Sequence, residues 1–286
     1  MIRFLPLALL LVTAVPIHGQ EPAADALAEY ARLDATRFRA DCQHTLIELY
    51  DQAGDLGGYA TGVWELIHEF NLESLAPEVL EASHHHGLLG RLDARHEASI
   101  RAFWDSTVGE RVLWSRRLAI DALGERGFAR SGGLVAERIP EARLERVRAF
   151  DEASGDTQSA VEVADLLLGL VLAAAEQVAT ATDEPPEIAA SPEKVHRWID
   201  GPYRDALFLR LVYRLSRLGD GELDELLAFA RSEAGQVFFA ARRGARLDVA
   251  TQIIEALSPE QSSLLAAELW EFMEEREEED EGDDPG

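Results

Sequence analysis

Residues 89–117, LGRLDARHEASIRAFWDSTVGERVLWSRR, and residues 215–243, LSRLGDGELDELLAFARSEAGQVFFAARR, align without a gap at a constant offset of 126. Leu89, Arg91, Leu92, Ala102, Phe103, Ser106, Gly109, Arg116 and Arg117 return as Leu215, Arg217, Leu218, Ala228, Phe229, Ser232, Gly235, Arg242 and Arg243. The specific part is Phe-x-x-Ser-x-x-Gly. Serine suits a helix N-cap, where its oxygen accepts a bond from an unpaired backbone N–H in the new first turn. Glycine three residues later lets another backbone approach, at a helix-propensity cost of about 1 kcal/mol relative to alanine. The phenylalanine before the cap is placed to staple the corner against the helix that follows. Each half therefore holds a short helix, a corner and a longer helix. An anion bound at the new helix start is the alternative use of these N–H groups, and Glu110 and Glu233 argue against it.

Outward from this pair, alanine, leucine, glutamate and arginine dominate, and no period-two alternation of β-branched or aromatic residues is sustained. The expected fold is all-α: two pseudo-repeated antiparallel helical bundles packed together, without significant β-sheet. Helices are expected near 24–52, 58–70, 75–85, 94–105, 107–123, 141–153, 157–181, 192–199, 202–217, 221–230, 233–256 and 259–278. Ser191-Pro192-Glu193 and Ser258-Pro259-Glu260-Gln261 each write a helix start, with proline at the first helical position. Residues 49–55 and 149–156 form a weaker upstream echo. Four glycines between Gly124 and Gly133 make a continuous helix improbable there and mark the seam, and residues 180–191 read as a loop.

The N-terminus carries Arg3 and an apolar run from Leu5 to Val15, too short to span a bilayer and typical of a secretory signal peptide. Cleavage is expected after Gly19. The organisation is then a signal peptide at 1–19, a first repeat at 20–127, a second at 128–257 with its motif at 223–243, and a C-terminal helix and acidic disordered tail at 258–286. Leu166 to Ala175 reads as a buried core helix. No membrane insertion is expected after cleavage, and the compartment is periplasmic or extracellular.

Fifty-three acidic residues against 27 basic ones give a net charge of −26, which repels phosphate backbones, so nucleic acid is excluded as a partner. Cys42 is the only cysteine. It reads as a small buried hydrophobe, the alternative being a bridge to another chain.

The stretch from Asp224 to Gln236, with its acidic, leucine-rich lead into Phe229, Ser232 and Gly235, resembles the bacterial domain-of-unknown-function family 2059. The family pattern has tyrosine after the phenylalanine and proline after the serine; here Ala230 and Trp104, then Glu233 and Thr107, stand in those places. The resemblance covers about 25 residues in the second half and a weaker relative in the first, as two divergent copies would. It implies an exported helical protein and lends no catalytic residues.

Candidate chemistry is sparse. His84, His85 and His86 are consecutive and follow Glu81, but successive helical residues turn by about 100°, so only Glu81 with His84 or His85 could share an ion. A polar, exposed helix end at Gly87 is the plainer reading. No Gly-x-Ser-x-Gly, His-Glu-x-x-His or phosphate-binding glycine loop is present, so no catalytic residue and no cofactor is expected. Arg116-Arg117 and Arg242-Arg243 are expected to pair with carboxylates, with a shared anionic ligand as the sharper alternative. Trp104 and Trp114 read as core and rim. Residues 271–284 self-repel and offer at most a docking tail for a basic partner or loose divalent cations. The function expected is that of a non-enzymatic interaction or scaffold protein with an unidentified protein partner; the alternative is a binding module for a small or apolar ligand between the halves.

Overall fold

A computed structural model describes residues 25–53, 77–122, 125–181 and 192–256. The expected signal peptide, the helices at 58–70 and 259–278, the Ser258 helix start and the acidic tail lie outside the described residues. Within them the chain is all-α. In order come α1 (Ala26–Ala53), α2 (Pro77–Gly90), α3 (Ala94–Trp104), α4 (Thr107–Ala122), α5 (Glu125–Ala136) and α6 (Glu141–Ser154). There follow α7 (Asp156–Ala181), α8 (Pro192–Trp198), a π-helical turn (Ile199–Tyr203), α9 (Arg204–Leu215), α10 (Asp220–Arg231) and α11 (Glu233–Ala256). None of these helices is long and apolar enough to cross a membrane.

Three readings of the sequence are corrected. The glycine-rich seam is helical over its described residues, 125–133, which belong to α5; Gly124 lies outside the described residues. Gly132 sits there because a Cβ would overlap the backbone carbonyl of Leu209, so glycine permits the close approach of α5 to α9 instead of breaking the helix. Second, α2 runs through Gly87 to Gly90, which places His84 in mid-helix. Third, the expected break near residue 200 is bridged by the π-helical turn, whose wider winding accommodates Pro202, a residue with no N–H to give.

α1 and α11 occupy the middle. Both pack on α2, α3 and α7, while α6 and α10 close one side and α9 runs along α5. Two apolar cores result. The larger joins Leu27, Tyr30, Leu88, Trp104, Phe150, Leu215, Phe229 and Phe238. The smaller joins Phe38, Cys42, Leu80, Leu167, Val195, Tyr203, Leu207 and Val249.

The change from one core to the other is written along each central helix. It falls between Leu33 and Phe38 on α1, Leu80 and Leu88 on α2, Leu207 and Leu211 on α9, and Ala245 and Val249 on α11. At or beside those points stand Asp34, His84, Arg210 and Arg246. A charged layer thus lies where the two cores meet.

Candidate functional site: a buried arginine and aspartate centre

The two corners supply the geometry on which this layer is hung. Ser106 Oγ accepts from the Gly109 N–H at 3.2 Å and donates to the Phe103 carbonyl at 2.6 Å. Ser232 repeats both bonds, with Gly235 at 3.0 Å and Phe229 at 2.7 Å. A Cβ on Gly109 would overlap the carbonyls of Phe103 and Trp104, and one on Gly235 that of Phe229. Glycine is therefore required by the last turn of the preceding helix, whose carbonyls fold over the start of the next. The phenylalanines do more than staple their own corners. Phe103 and Phe229 stack on each other, with centroids 3.9 Å apart and planes at 2°.

About two turns beyond each glycine, the helix delivers an arginine into the interior. Arg116 Nη1 donates to Asp34 Oδ1 at 3.0 Å, and Arg242 Nη2 lies 2.5 Å from Asp156 Oδ1. Between them stands Tyr30, whose hydroxyl accepts from Arg116 Nη2 at 2.9 Å and from Arg242 Nη1 at 3.0 Å. Arg246, one turn after Arg242, donates to both oxygens of Asp34, at 3.1 and 2.6 Å. Arg214 from α9 donates to Asp156. The neighbouring Arg117 and Arg243 face outward and pair with Glu29 and Glu162. All four arginines of the repeated pairs thus meet carboxylates.

Burial and charge pull these groups in opposite directions. Burial alone would raise the carboxyl of Asp34, but Arg246, His84, Arg242 and Arg116 together hold it well below the usual carboxylate range. Burial acts likewise on Asp156, where Arg214, Arg242, Arg246 and Arg116 hold it well below that range. Arg214 shows the reverse strain: burial, reinforced by the nearby charges of Arg37 and Arg116, lowers it to about 10 despite Asp156. Fully buried ion pairs contribute little net stability, whereas removing one partner costs about 3–5 kcal/mol. The layer consequently fixes helix positions more than it adds stability.

The metal candidates come apart. His84 is 1 % exposed, not the exposed helix end expected, and its Nε2 lies 3.2 Å from Asp34 Oδ2. Glu81 instead accepts from the Thr36 hydroxyl at 3.0 Å, and His85 and His86 stand at the partly buried and exposed faces of α2. Among the described residues no group of three ligating side chains could hold a metal ion. Trp104 is buried against Tyr30, at 4.2 Å between centroids, and Trp114 is exposed under Arg111. Cys42 is buried within the smaller core, as the small hydrophobe the sequence suggests.

Asp34, Asp156, Tyr30, Arg210, Arg214 and Arg246 are the residues the sequence reading passed over. Their signal is a charge at helical spacing from buried apolar positions: Asp34 between Tyr30 and Phe38, Arg246 between Phe238 and Val249 through Arg242, Arg210 and Arg214 flanking Leu211. Comparison of the chain with protein-family models, curated proteins and solved structures gave no match.

Proposed function

We propose that the chain is an exported, periplasmic, non-enzymatic interaction or scaffold protein built from two divergent copies of a helical unit resembling family 2059. The observation that carries this reading is the charged centre itself. Its ionisable groups are buried and bonded to one another, and the cavity at its edge, beside Arg37, Asp156, Arg214 and Arg246, measures about 20 Å3, room for one water. Groups locked in this way position helices and leave the acidic exterior as the surface a partner would meet.

The duplication is supported by more than the 126-residue offset. Arg116 with Asp34 is matched by Arg242 with Asp156, and His84 beside Asp34 falls at the same offset from Arg210 on α9. The aspartates themselves are 122 apart, which gives α1 and α7 a register different from the 49–55 and 149–156 echo. Export is supported by the sequence of residues 1–19.

Native mass spectrometry and in-cell crosslinking of the tagged full chain in a bacterial host test the proposal. A periplasmic product of the mass left by removal of 1–19, and a reproducible partner whose complex weakens with salt, are expected. A cytoplasmic, unprocessed product refutes export, and a stoichiometric co-purifying small molecule refutes the scaffold reading in favour of ligand binding.

A further inference from the structure

The third residue of each short helix reaches across to the long helix of the other half. In α10 it is Glu222, whose Oε2 accepts from the Gly219 N–H at 2.6 Å and whose Oε1 accepts from Arg111 Nε of α4 at 3.2 Å. In α3, 126 residues earlier, it is His96. Its Nε2 lies 3.2 Å from Oε1 of Glu233, the first residue of α11. Its Nδ1 lies 3.4 Å from Oδ2 of Asp93, the residue that caps α3. One crossing joins a carboxylate to a guanidinium. The other sets an imidazole between two carboxylates.

An ionised carboxylate only accepts, and a neutral imidazole has one N–H and one bare nitrogen. A neutral ring therefore serves one of its neighbours and turns a lone pair toward the other. The imidazolium, with an N–H on each side, serves both. Water offers no substitute on the Asp93 side, because Nδ1 is shut off from solvent and makes no hydrogen bond, which leaves that carboxylate as the oxygen within ion-pair reach. Asp93 itself stays ionised: the Arg95 N–H holds its carboxyl below the usual range, slight desolvation opposes this, and the charge of His96 adds to it.

The surrounding charges are accounted for. On α3, Arg95 Nη2 is 3.5 Å from the same Glu233 oxygen and 74 % exposed, while Glu97 is taken up by Arg101, which also bonds Asp25 ahead of α1. On α4, Arg111, Arg116 and Arg117 are engaged by Glu222, Asp34 and Glu29, and Glu110 is exposed at the helix start. Glu233 is the group that α11 brings to the ring.

We propose that Asp93, His96 and Glu233 form a pH-gated clasp between the two halves, closed when His96 is cationic and open when it is neutral. Opening releases the first turn of α11 at the second corner. The Glu222–Arg111 crossing keeps its charges throughout the range in which histidine changes its own, about pH 5–8. The clasp contributes on the acid side and is lost as pH rises, opposite in sign to Asp34 and Asp156. It depends neither on export nor on a partner.

Amide hydrogen exchange of the full chain, corrected for the intrinsic effect of pH on exchange, tests the clasp. The Gly235 and Gln236 N–H groups bond to Ser232 in the first turn of α11, and Gly109 and Glu110 bond to Ser106 in the same way, so the first corner is an internal control. Protection at Gly235 and Gln236 is expected to fall about two- to fivefold across that range, the scale of one partly exposed ion pair. Protection at Gly109 and Glu110 is expected to hold. His96→Gln should abolish the response at the second corner, and if that variant fails to fold, Glu233→Gln, at an exposed position, serves the same purpose. Nitrogen-15 shifts of the ring should show both nitrogens protonated while the clasp is closed. Protection that does not vary with pH, an equal fall at both corners, or a response that survives the folded variants overturns the proposal.

Discussion

The two corners make the same hydrogen bonds and then diverge. Phe103, Ser106 and Gly109 match Phe229, Ser232 and Gly235 bond for bond, yet the residue after the phenylalanine is Trp104 in one and Ala230 in the other. Trp104 fills the space against Tyr30 and carries its indole N–H into the buried interior; Ala230 is buried without any side-chain polar group to place. The carboxylates served by the corners also differ. Asp34 is sealed among Arg116, Arg246 and His84, whereas the side chain of Asp156 keeps 10 % of its surface and is met by Arg214 and Arg242. A backbone device can thus be held constant while the chemistry hung on it is altered.

The contrast between the carboxylates should produce the largest effects. Asp34→Asn leaves buried arginines without their counter-charge and is expected to cost about 3–5 kcal/mol in urea unfolding. Asp156→Asn is expected to cost less, because water reaches its rim. The reverse order would break the comparison. Both carboxyls are held well below their usual values in the folded protein. Their contribution is therefore complete above the unfolded carboxylate value of about 4 and is lost as pH falls from there through the folded values. Unfolding midpoints measured down the acid limb should fall for the parent protein and flatten in Asp34→Asn.

Next come the glycines. Gly235→Ala and Gly109→Ala each force a methyl group onto a carbonyl, with an expected cost of about 1–3 kcal/mol. The overlap is deeper at Gly235, which should suffer more. Equal losses would show that the first corner is as rigid as the second. Smallest are the caps: Ser232→Ala and Ser106→Ala should each cost about 1 kcal/mol. An unchanged unfolding midpoint in either would dissociate the cap bond from the stability of its corner.

The helices and corners were legible because their signals are local. Phe-x-x-Ser-x-x-Gly carries its own cap and its own close approach within seven residues, and α4, α6, α7, α10 and α11 start within a residue of their expected positions. The charged centre was not legible, because its partners are far apart in sequence and drawn from 53 acids and 27 bases. Nothing in Asp34 alone distinguishes it from an exposed aspartate. Its neighbours Tyr30 and Phe38 do so only when the helix is known to be covered on that face. Gly132 misled for a related reason: a glycine that breaks a helix and one that admits another helix look alike until the neighbour is placed.

Tyr30 and Asp34 also set an order of assembly. Their bonds to Arg242 and Arg246 span 212 residues, against 82 and 86 for those to Arg116. A chain emerging from its N-terminus can bring Arg116 and His84 to Asp34, and Arg214 to Asp156, before α11 exists, but Arg242 and Arg246 come only with that helix. Closing so long a loop slows folding. Until that last helix docks, the first carboxylate is only half neutralised, and a chain truncated before residue 233 has no means of finishing it.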